Sequence, residues 1–128
     1  MADYQPVFSG GAVPWTATTS AGVTGGRVLA ASATGTVAHA AADSTVAVGV
    51  AAHDAASGAK VTVWPLDGVV HELEASGAIT ALAGVVTDAA GQVKTATIAT
   101  AAAAGTLIGT AATTAAGSPL KLRVQGRR

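Results

Sequence analysis

Three histidines, His39, His53 and His71, are the residues of this sequence best suited to metal binding or acid–base chemistry. The stretch His71-Glu-Leu-Glu74 begins like the zinc-protease motif, in which a second histidine four positions later completes a pair of ligands on one helix face. Ala75 stands at that position, and the surrounding residues alternate as they do in a strand. We therefore interpret His71 as a packed or interface residue, and His53 as part of a turn.

The other patterns with catalytic potential are incomplete. Glu72 and Glu74 would lie about 7 Å apart on one strand face, a spacing that could mimic a glycosidase pair, but an exposed polar face explains them with no further assumption. The glycine-rich residues 22–26 lack the lysine of a phosphate loop, no serine lies in a Gly-x-Ser-x-Gly turn, and there is no cysteine. We expect no enzyme activity, no metal site and no cofactor.

The charge balance argues against binding to nucleic acid or to a membrane surface. Among the 128 residues, seven basic and seven acidic side chains give a formal net charge of zero. Only Arg123, Arg127 and Arg128 form a local basic excess, which we interpret as a solvated tail. No run of residues reaches the roughly 18 apolar positions of a membrane-spanning helix.

The apolar content predicts a weak monomer and a strong assembly. Half of the residues are hydrophobic, but aromatic residues are only 3% and charged residues only 11%. A core of alanine and valine gains little free energy per side chain, because burial returns about 25 cal/mol per Å². Oligomerisation is the usual way for such a chain to bury more surface, so we expect a homo-oligomer.

Apolar and polar residues alternate with the period of half-buried strands. Residues 45–51, 60–66 and 119–124 each follow this pattern, and short glycine-containing turns separate them. In residues 60–66 the alternation places Val61 and Val63 inward and Trp64 outward. The alanine-rich residues 95–105 predict a loop or one short helix. The sequence therefore predicts an all-β protein with little helix, a small sandwich or barrel of short antiparallel strands.

An internal duplication is the most informative feature of the organisation. Gly26 aligns with Gly84 and Gly35 with Gly91, and residues 48–52 align with 108–112. Residues 54–63 then align with 114–122 if one residue is deleted. Half-repeats at about 23–68 and 81–126 would cover each other's apolar faces. We expect residues 21–128 to form one β-domain, preceded by an arm at residues 1–20.

The arm is suited to docking on another surface. Most of the aromatic residues lie in it, together with prolines and a Gly10-Gly11 hinge. Two interpretations stay open: the arm contacts a partner, or it folds back and completes the sheet of its own chain. Outside the arm, Trp64 and His71 are candidates for a subunit or partner interface, since tryptophan is enriched at interface centres. The candidate partner-binding residues of the arm are Tyr4, Pro6, Phe8, Pro14 and Trp15.

The order and spacing of five segments resemble the capsid cement proteins of tailed bacteriophages, related in architecture to the lambda-type head decoration proteins. These segments are residues 8–18, 23–29, 48–61, 67–73 and 108–117, and together they extend over nearly the whole chain. The resemblance implies a trimer that binds the major capsid protein at three-fold and quasi-three-fold positions after the shell expands. It also implies that residues 2–15 order on the capsid by adding a strand to an exposed edge.

The same resemblance places the protein on the outside of the virion, and in the host cytoplasm during assembly. The alternative from a different class is an adhesion, carbohydrate-binding or fibre module displayed on a virion or cell. That module would need exposed aromatic side chains around a concave site, for which Trp15 and Trp64 are the candidates.

Overall fold

A computed structural model of the chain describes residues 3–117 and 121–127. This part of the chain contains ten strands, one short α-helix and one 3-10 turn. In chain order the elements are β1 (Trp15–Thr19), β2 (Val28–Ala33), β3 (Thr36–His39), β4 (Ala47–Ala51), β5 (Lys60–Trp64), β6 (Val70–Glu74), β7 (Gly84–Thr87), the 3-10 turn (Ala89–Gly91), β8 (Val93–Ala96), α1 (Ile98–Ala104), β9 (Gly109–Ala111) and β10 (Lys121–Gly126).

The predicted alternation is confirmed in β5 and β10. Val61 and Val63 are fully buried in β5, while Lys60 is exposed and Trp64 is half-buried. In β10, Leu122 is buried between exposed neighbours, as a strand with one face in the core requires. The predicted strand began at residue 119, but residues 118–120 lie outside the described part of the chain.

The alternation predicted for residues 45–51 is wrong at its first half. Val46 is 51% exposed and Ala47 is buried, whereas the sequence placed Val46 on the same face as Val50. The register between β2 and β4 shifts here, because Leu29 pairs with Gly49 and Ala30 with Ala47. The shift is a β-bulge, which inserts one residue and reverses the side-chain parity beyond it.

The first five strands close into a barrel in the order β1-β3-β2-β4-β5. Most neighbours are antiparallel, as predicted, but β1 and β3 are parallel and join through Thr18 with Thr36 and Thr19 with Val37. Closure removes the free edges of the sheet. The interior is filled by small apolar side chains, which suit so narrow a barrel: Ala17, Val23, Leu29, Val37, Ala51, Val61 and Val63.

The last five strands repeat this arrangement. Their order is β6-β10-β9-β7-β8, and a parallel bridge joins Ala75, directly after β6, to Val93, the first residue of β8. The parallel contact of β1 with β3 has the same place in the first half. The bridge between Val23 and Ala55 likewise recurs between Ile79 and Ala115. The predicted internal duplication is therefore present as two copies of one five-stranded unit.

The registers correct part of the sequence alignment. The amide of Gly26 donates to the Ala51 carbonyl and that of Leu82 to the Ala111 carbonyl, so Gly26 corresponds to Leu82 and not to Gly84. Both residues have positive φ, at 83° and 75°. Sequence comparison matched glycine to glycine and missed the pair because leucine rarely adopts this conformation.

The second half of the chain is longer than the first in two of its connections. Helix α1 occupies the connection from β8 to β9, and the equivalent connection from β3 to β4 has no helix. Gly105 ends α1 in the left-handed conformation, in agreement with the short helix predicted there. Further on, the hydrogen bond from Ala52 to Thr62 recurs between Ala112 and Arg123. The second of these connections is one residue longer than the first, so the second half has an insertion here where the sequence alignment assumed a deletion.

The two halves share one hydrophobic core. Val28 and Val50, on the outside of the first barrel, pack in the same cluster as Leu73, Val85 and other residues that line the second sheet. An ion pair of 2.6 Å between Arg27 and Glu74 crosses the same boundary. Since each half covers apolar surface of the other, the two units form a single packed body. In the described part of the chain, no helix has the length and apolarity to cross a membrane.

Candidate interaction surface

Residues 3–8 run across both halves of their own chain, from the segment after β4 to the start of β6. The amide of Tyr4 donates to the Ala52 carbonyl at 2.6 Å. Further along, Phe8 and Val70 form an antiparallel bridge, with the Val70 amide donating to the Phe8 carbonyl at 2.9 Å. The sequence left open whether the arm contacts a partner or folds back on its own chain. In the structure, residues 3–8 of the arm fold back on their own chain.

The Tyr4 side chain stabilises this contact by a hydrogen bond to His71. The His71 Nε2 donates to the Pro65 carbonyl at 2.7 Å, so in the neutral ring Nδ1 is free to accept from the Tyr4 hydroxyl at 2.6 Å. The hydroxyl in turn accepts from the amide of Glu72 at 3.2 Å, and the two rings stack with centroids 5.7 Å apart. Burial lowers the pKa of His71 to about 4, which keeps the ring neutral near pH 7.

The same burial assigns these two residues to packing. The sequence predicted that His71 is either a packed or an interface residue. It is 1% exposed, so within its own chain it is a packed residue. Burial also raises the pKa of the Tyr4 hydroxyl, which therefore stays protonated and keeps its hydrogen bond. In this conformation Tyr4 contacts both halves, with its ring on His71 and its backbone amide on the Ala52 carbonyl, and Pro6, two residues later, is half-buried.

A tight turn at Ser9–Ala12 follows the docked segment. The Ala12 amide donates to the Ser9 carbonyl at 2.8 Å, and Gly10 and Gly11 both have positive φ, at 58° and 81°. Two successive residues of positive φ are the mark of a type I′ turn, which glycine adopts at no steric cost. At Gly10 a Cβ atom would also lie 2.6 Å from the Gly68 carbonyl oxygen, so this turn packs closely on the loop before β6. The predicted hinge is a defined turn in this structure.

The turn presents large apolar side chains to solvent. Phe8 is 64% exposed before it, and Val13 and Trp15 are 77% and 42% exposed after it. We call these three residues the N-terminal apolar surface. Pro14, between the last two, is half-buried. The sequence pointed to Phe8, Pro14 and Trp15 but missed Val13, because an isolated valine carries no signal of exposure.

Residues 7–126 match the model of a family described as phage cement protein. The chain belongs to the phage cement protein family. A solved structure, the N base of head fiber gp8.5 of bacteriophage phi29, has a similar fold with a TM-score of 0.68 at 20% sequence identity. The similarity covers 91% of this chain and 97% of that one. No curated protein matches the sequence.

Family membership confirms the resemblance drawn from the sequence, and the all-β fold with little helix is confirmed as well. As a phage cement protein, the chain is a structural component associated with the capsid of the virion. The contact with the capsid therefore has to be sought on its surface. The N-terminal apolar surface is the part of the described chain where large exposed hydrophobic side chains are closest in sequence.

The second tryptophan of the cement protein lies on the outer face of β5. Trp64 pairs with Val50 of β4 and is half-buried, in agreement with the predicted outward orientation. Its carbonyl oxygen lies so close to Gly49 that a Cβ atom there would collide with it. A role of Trp64 in a subunit or partner interface stays a prediction.

The polar residues singled out for chemistry are engaged in structural contacts. Glu74 pairs with Arg27 and also accepts from the Gln92 side chain at 3.0 Å. His39 Nε2 accepts from the Thr24 amide at 2.9 Å, and burial followed by the nearby Arg27 charge lowers the pKa of His39. Among the described residues no group of three or more His, Cys, Asp or Glu side chains is arranged to hold a metal ion.

Among the surface cavities lined by described residues, two have none of Phe8, Val13 and Trp15 in their walls. One of about 290 Å³ lies between α1 and Asp43 and is lined mainly by alanine and threonine. The other, of about 220 Å³, lies where the halves meet and is lined by Arg27, Glu72, Glu74 and Lys121 among others. Neither cavity is lined by a histidine, serine or cysteine nucleophile beside a base, so neither has the arrangement of side chains that covalent catalysis uses.

Proposed function

We propose that this cement protein binds the outer surface of the expanded phage capsid as a homotrimer, at three-fold and quasi-three-fold positions, and stabilises the shell. The observation that carries the proposal is the family match over residues 7–126. The sequence resemblance supplies the trimer, the axes and the expanded state. The protein has no catalytic role in this proposal, and it binds neither nucleic acid nor membrane.

The composition and the core support binding by many weak contacts. The largest fully buried side chains are leucine, isoleucine, valine and one histidine, so a single copy has a modest core. Three copies held together would each contribute a contact, and simultaneous binding raises the effective affinity without any new interaction. Low surface charge suits a protein that lies against other protein over much of its surface.

Within the proposal, the N-terminal apolar surface contacts the major capsid protein. Phe8 and Trp15 have the exposure that a contact residue needs. Tyr4 acts indirectly, because its bonds to His71 and to the Ala52 carbonyl hold the segment in place ahead of the turn, and Pro6 is half-buried between Tyr4 and the turn. This assignment narrows the predicted capsid-binding segment, residues 2–15, to its exposed apolar residues.

Binding to purified shells tests the proposal. Expanded capsids that lack the protein are mixed with it, pelleted and assayed for copies bound, with unexpanded shells as the matched control. We expect saturable binding to expanded shells, and light scattering of the free protein is expected to give the trimer mass at high concentration. Absent or unsaturable binding would contradict the proposal, and a strict monomer would contradict the trimer.

A second candidate function follows from the solved structure of similar fold, which is the base of a head fibre. In that case the chain would be a base from which further chain or a partner extends away from the capsid. Electron microscopy of decorated shells separates the two, since a cement protein lies flat on the shell and a fibre base carries a projecting density.

A further inference from the structure

The strand registers show which residues of the two halves are equivalent. Val28 of β2 pairs with Val50 of β4, and Gly84 of β7 pairs with Thr110 of β9. Gly84 is therefore the counterpart of Val28, and Thr110 is the counterpart of Val50. The residues next to them in each strand point into their own half, so these four residues lie on the outer side of the two halves.

Within the chain, the second half covers the outer side of the first. Val28 and Val50 are fully buried in the shared core. The β7–β8 turn lies on this side, because the Gly91 amide donates to the Ala40 carbonyl at 2.9 Å. The approach is close, since a Cβ atom on Gly91 would lie 2.6 Å from the Val28 carbonyl oxygen. An outer strand surface and a turn therefore form the interface between the halves.

The first half has its own copy of this turn, which faces solvent. The β2–β3 and β7–β8 turns close at strand pairs of equal separation. Gly35 has a φ of 74° in the first turn, and Gly91 has a φ of 73° in the second. Residues 31–35, the end of β2 and the turn after it, are exposed and have no charged side chain. The chain therefore presents to solvent a second copy of a surface that it uses for packing.

The outer side of the second half is only partly covered. Gly84 has no side chain, and Ile98, the first residue of α1, fills the space beside it, since a Cβ atom on Gly84 would lie 3.0 Å from Ile98 Cγ1. Ile98 is 43% exposed, and Leu82, shortly before Gly84 in the chain, is 79% exposed. Large apolar side chains are therefore exposed in the second half at the side that is buried in the first.

The exposed Leu82 also has an unfavourable backbone conformation. Its φ of 75° lies in the left-handed region, which glycine adopts readily and leucine rarely. The counterpart in the first half is Gly26, with a φ of 83°. Strained backbone conformations cluster at functional sites and at contacts with ligands. A partner that covers the Leu82 side chain would compensate for both the strain and the exposure.

The residues around α1 do not form a polar end cap. In chains built from repeated units, the terminal unit needs a polar outer face. Residues 95–117 contain no charged side chain, and residues 97–100 and 102–104 are exposed. Charged residues are depleted at the centres of protein interfaces. This side of the second half is therefore suited to contact with protein.

We propose that the outer side of the second half, at Leu82 and Ile98, binds residues 31–35 of a second copy of the chain. The contact repeats between copies the one that the β7–β8 turn makes within the chain, with Ile98 in the place of the Val28 side chain. Because the two surfaces differ, the contact is heterologous, and three such contacts close the trimer as a ring. This inference rests on the homotrimer of the proposed function and names its subunit interface.

Charges on either surface test the interface. Leu82→Asp changes the outer side of the second half and Thr34→Asp changes the β2–β3 turn, and both residues are exposed, so the fold is expected to persist. Val13→Asp, at a 77% exposed residue of the N-terminal apolar surface, is the matched control. Light scattering across a concentration series measures the trimer mass. We expect the first two variants to raise the concentration of half-assembly by at least about tenfold, and Val13→Asp to leave it unchanged.

A mixture of the two variants tests the heterologous geometry. Leu82→Asp keeps an intact turn and Thr34→Asp keeps an intact outer side, so one contact between the two remains possible. We expect the mixture at high concentration to form a dimer with one copy of each variant, while each variant alone stays monomeric. A mixture that gives no dimer would contradict the pairing of these two surfaces.

The outcomes separate this inference from the proposed function. If Leu82→Asp and Thr34→Asp are trimers at the same concentrations as the unmodified protein, the interface is overturned while the proposed function stands. If Val13→Asp dissociates as readily as they do, the effect is not specific to these surfaces and the inference is likewise overturned. A strict monomer of the unmodified protein would instead contradict the proposed trimer itself.

Discussion

Among single residues, Tyr4 has the greatest influence on where the N-terminal segment lies. Its hydroxyl donates to His71 and accepts from the Glu72 amide, so one side chain joins the segment to two positions of β6. The sequence identified Tyr4 as an aromatic residue of an arm, but it could not determine the partner. That partner, His71, is 67 residues away and only the folded sheet brings the two together.

Removing the Tyr4 hydroxyl is expected to weaken the fold. Tyr4→Phe keeps the ring but leaves His71 Nδ1 buried without its donor, which typically costs about 1–3 kcal/mol. Urea unfolding measures the loss, and Phe8→Leu, at an exposed ring, is the control expected to change stability by less than about 0.5 kcal/mol. Equal midpoints for Tyr4→Phe and the unmodified protein would contradict this account of the segment.

The neutral His71 ring makes stability dependent on pH. Its pKa is about 4 in the folded state, against 6.5 for an ordinary histidine, so the unfolded state binds more protons between these values. Stability is therefore full above about pH 6.5 and falls as the pH decreases toward 4, by about 1 kcal/mol between pH 7.5 and 5.5. Denaturant titrations at the two pH values measure this, and His71→Gln should reduce the difference. A protein equally stable at both pH values would argue against the buried neutral ring.

At the scale of elements, one glycine in each half permits close packing of neighbouring strands. A Cβ atom on Gly49 would collide with the Trp64 carbonyl and Val63, and one on Gly109 would collide with the Gln125 carbonyl and Val124. These are equivalent positions with equivalent neighbours. The sequence alignment matched the two glycines correctly, although it could not reveal what they touch.

Alanine at either glycine is expected to destabilise the protein. Gly49→Ala and Gly109→Ala each force two strands apart, for which overpacking in a core costs about 1–3 kcal/mol. Gly77→Ala is the control, because nothing lies within 4 Å of a Cβ atom at that residue and its φ is not positive. Thermal unfolding compares the three variants. If the two strand glycines tolerate alanine as well as Gly77 does, the close approach of the strands is not required.

The strands differ in how far the sequence could predict them. β5 and β10 follow the period-two rule because each has one face in the core and one in solvent. β4 does not, since its bulge depends on the register with β2. The parallel pairing of β1 with β3 was also beyond the sequence, because it depends on closure of the barrel.

At the scale of the whole molecule, the shared core predicts cooperative unfolding. Val28 and Val50 of the first half belong to the same buried cluster as Leu73 and Val85 of the second, so neither half keeps its apolar surface covered alone. We expect one calorimetric transition whose calorimetric and van't Hoff enthalpies agree. Two separate transitions would contradict a single cooperative unit.

The central claim is that the chain is a capsid cement protein that contacts the shell through its N-terminal apolar surface. Cryo-electron microscopy of expanded capsids, reconstituted with the purified protein, tests it most directly. The account predicts trimeric density at the three-fold and quasi-three-fold positions, with the N-terminal apolar surface against the major capsid protein. Density that is absent, or that turns the N-terminal apolar surface toward solvent, would contradict it.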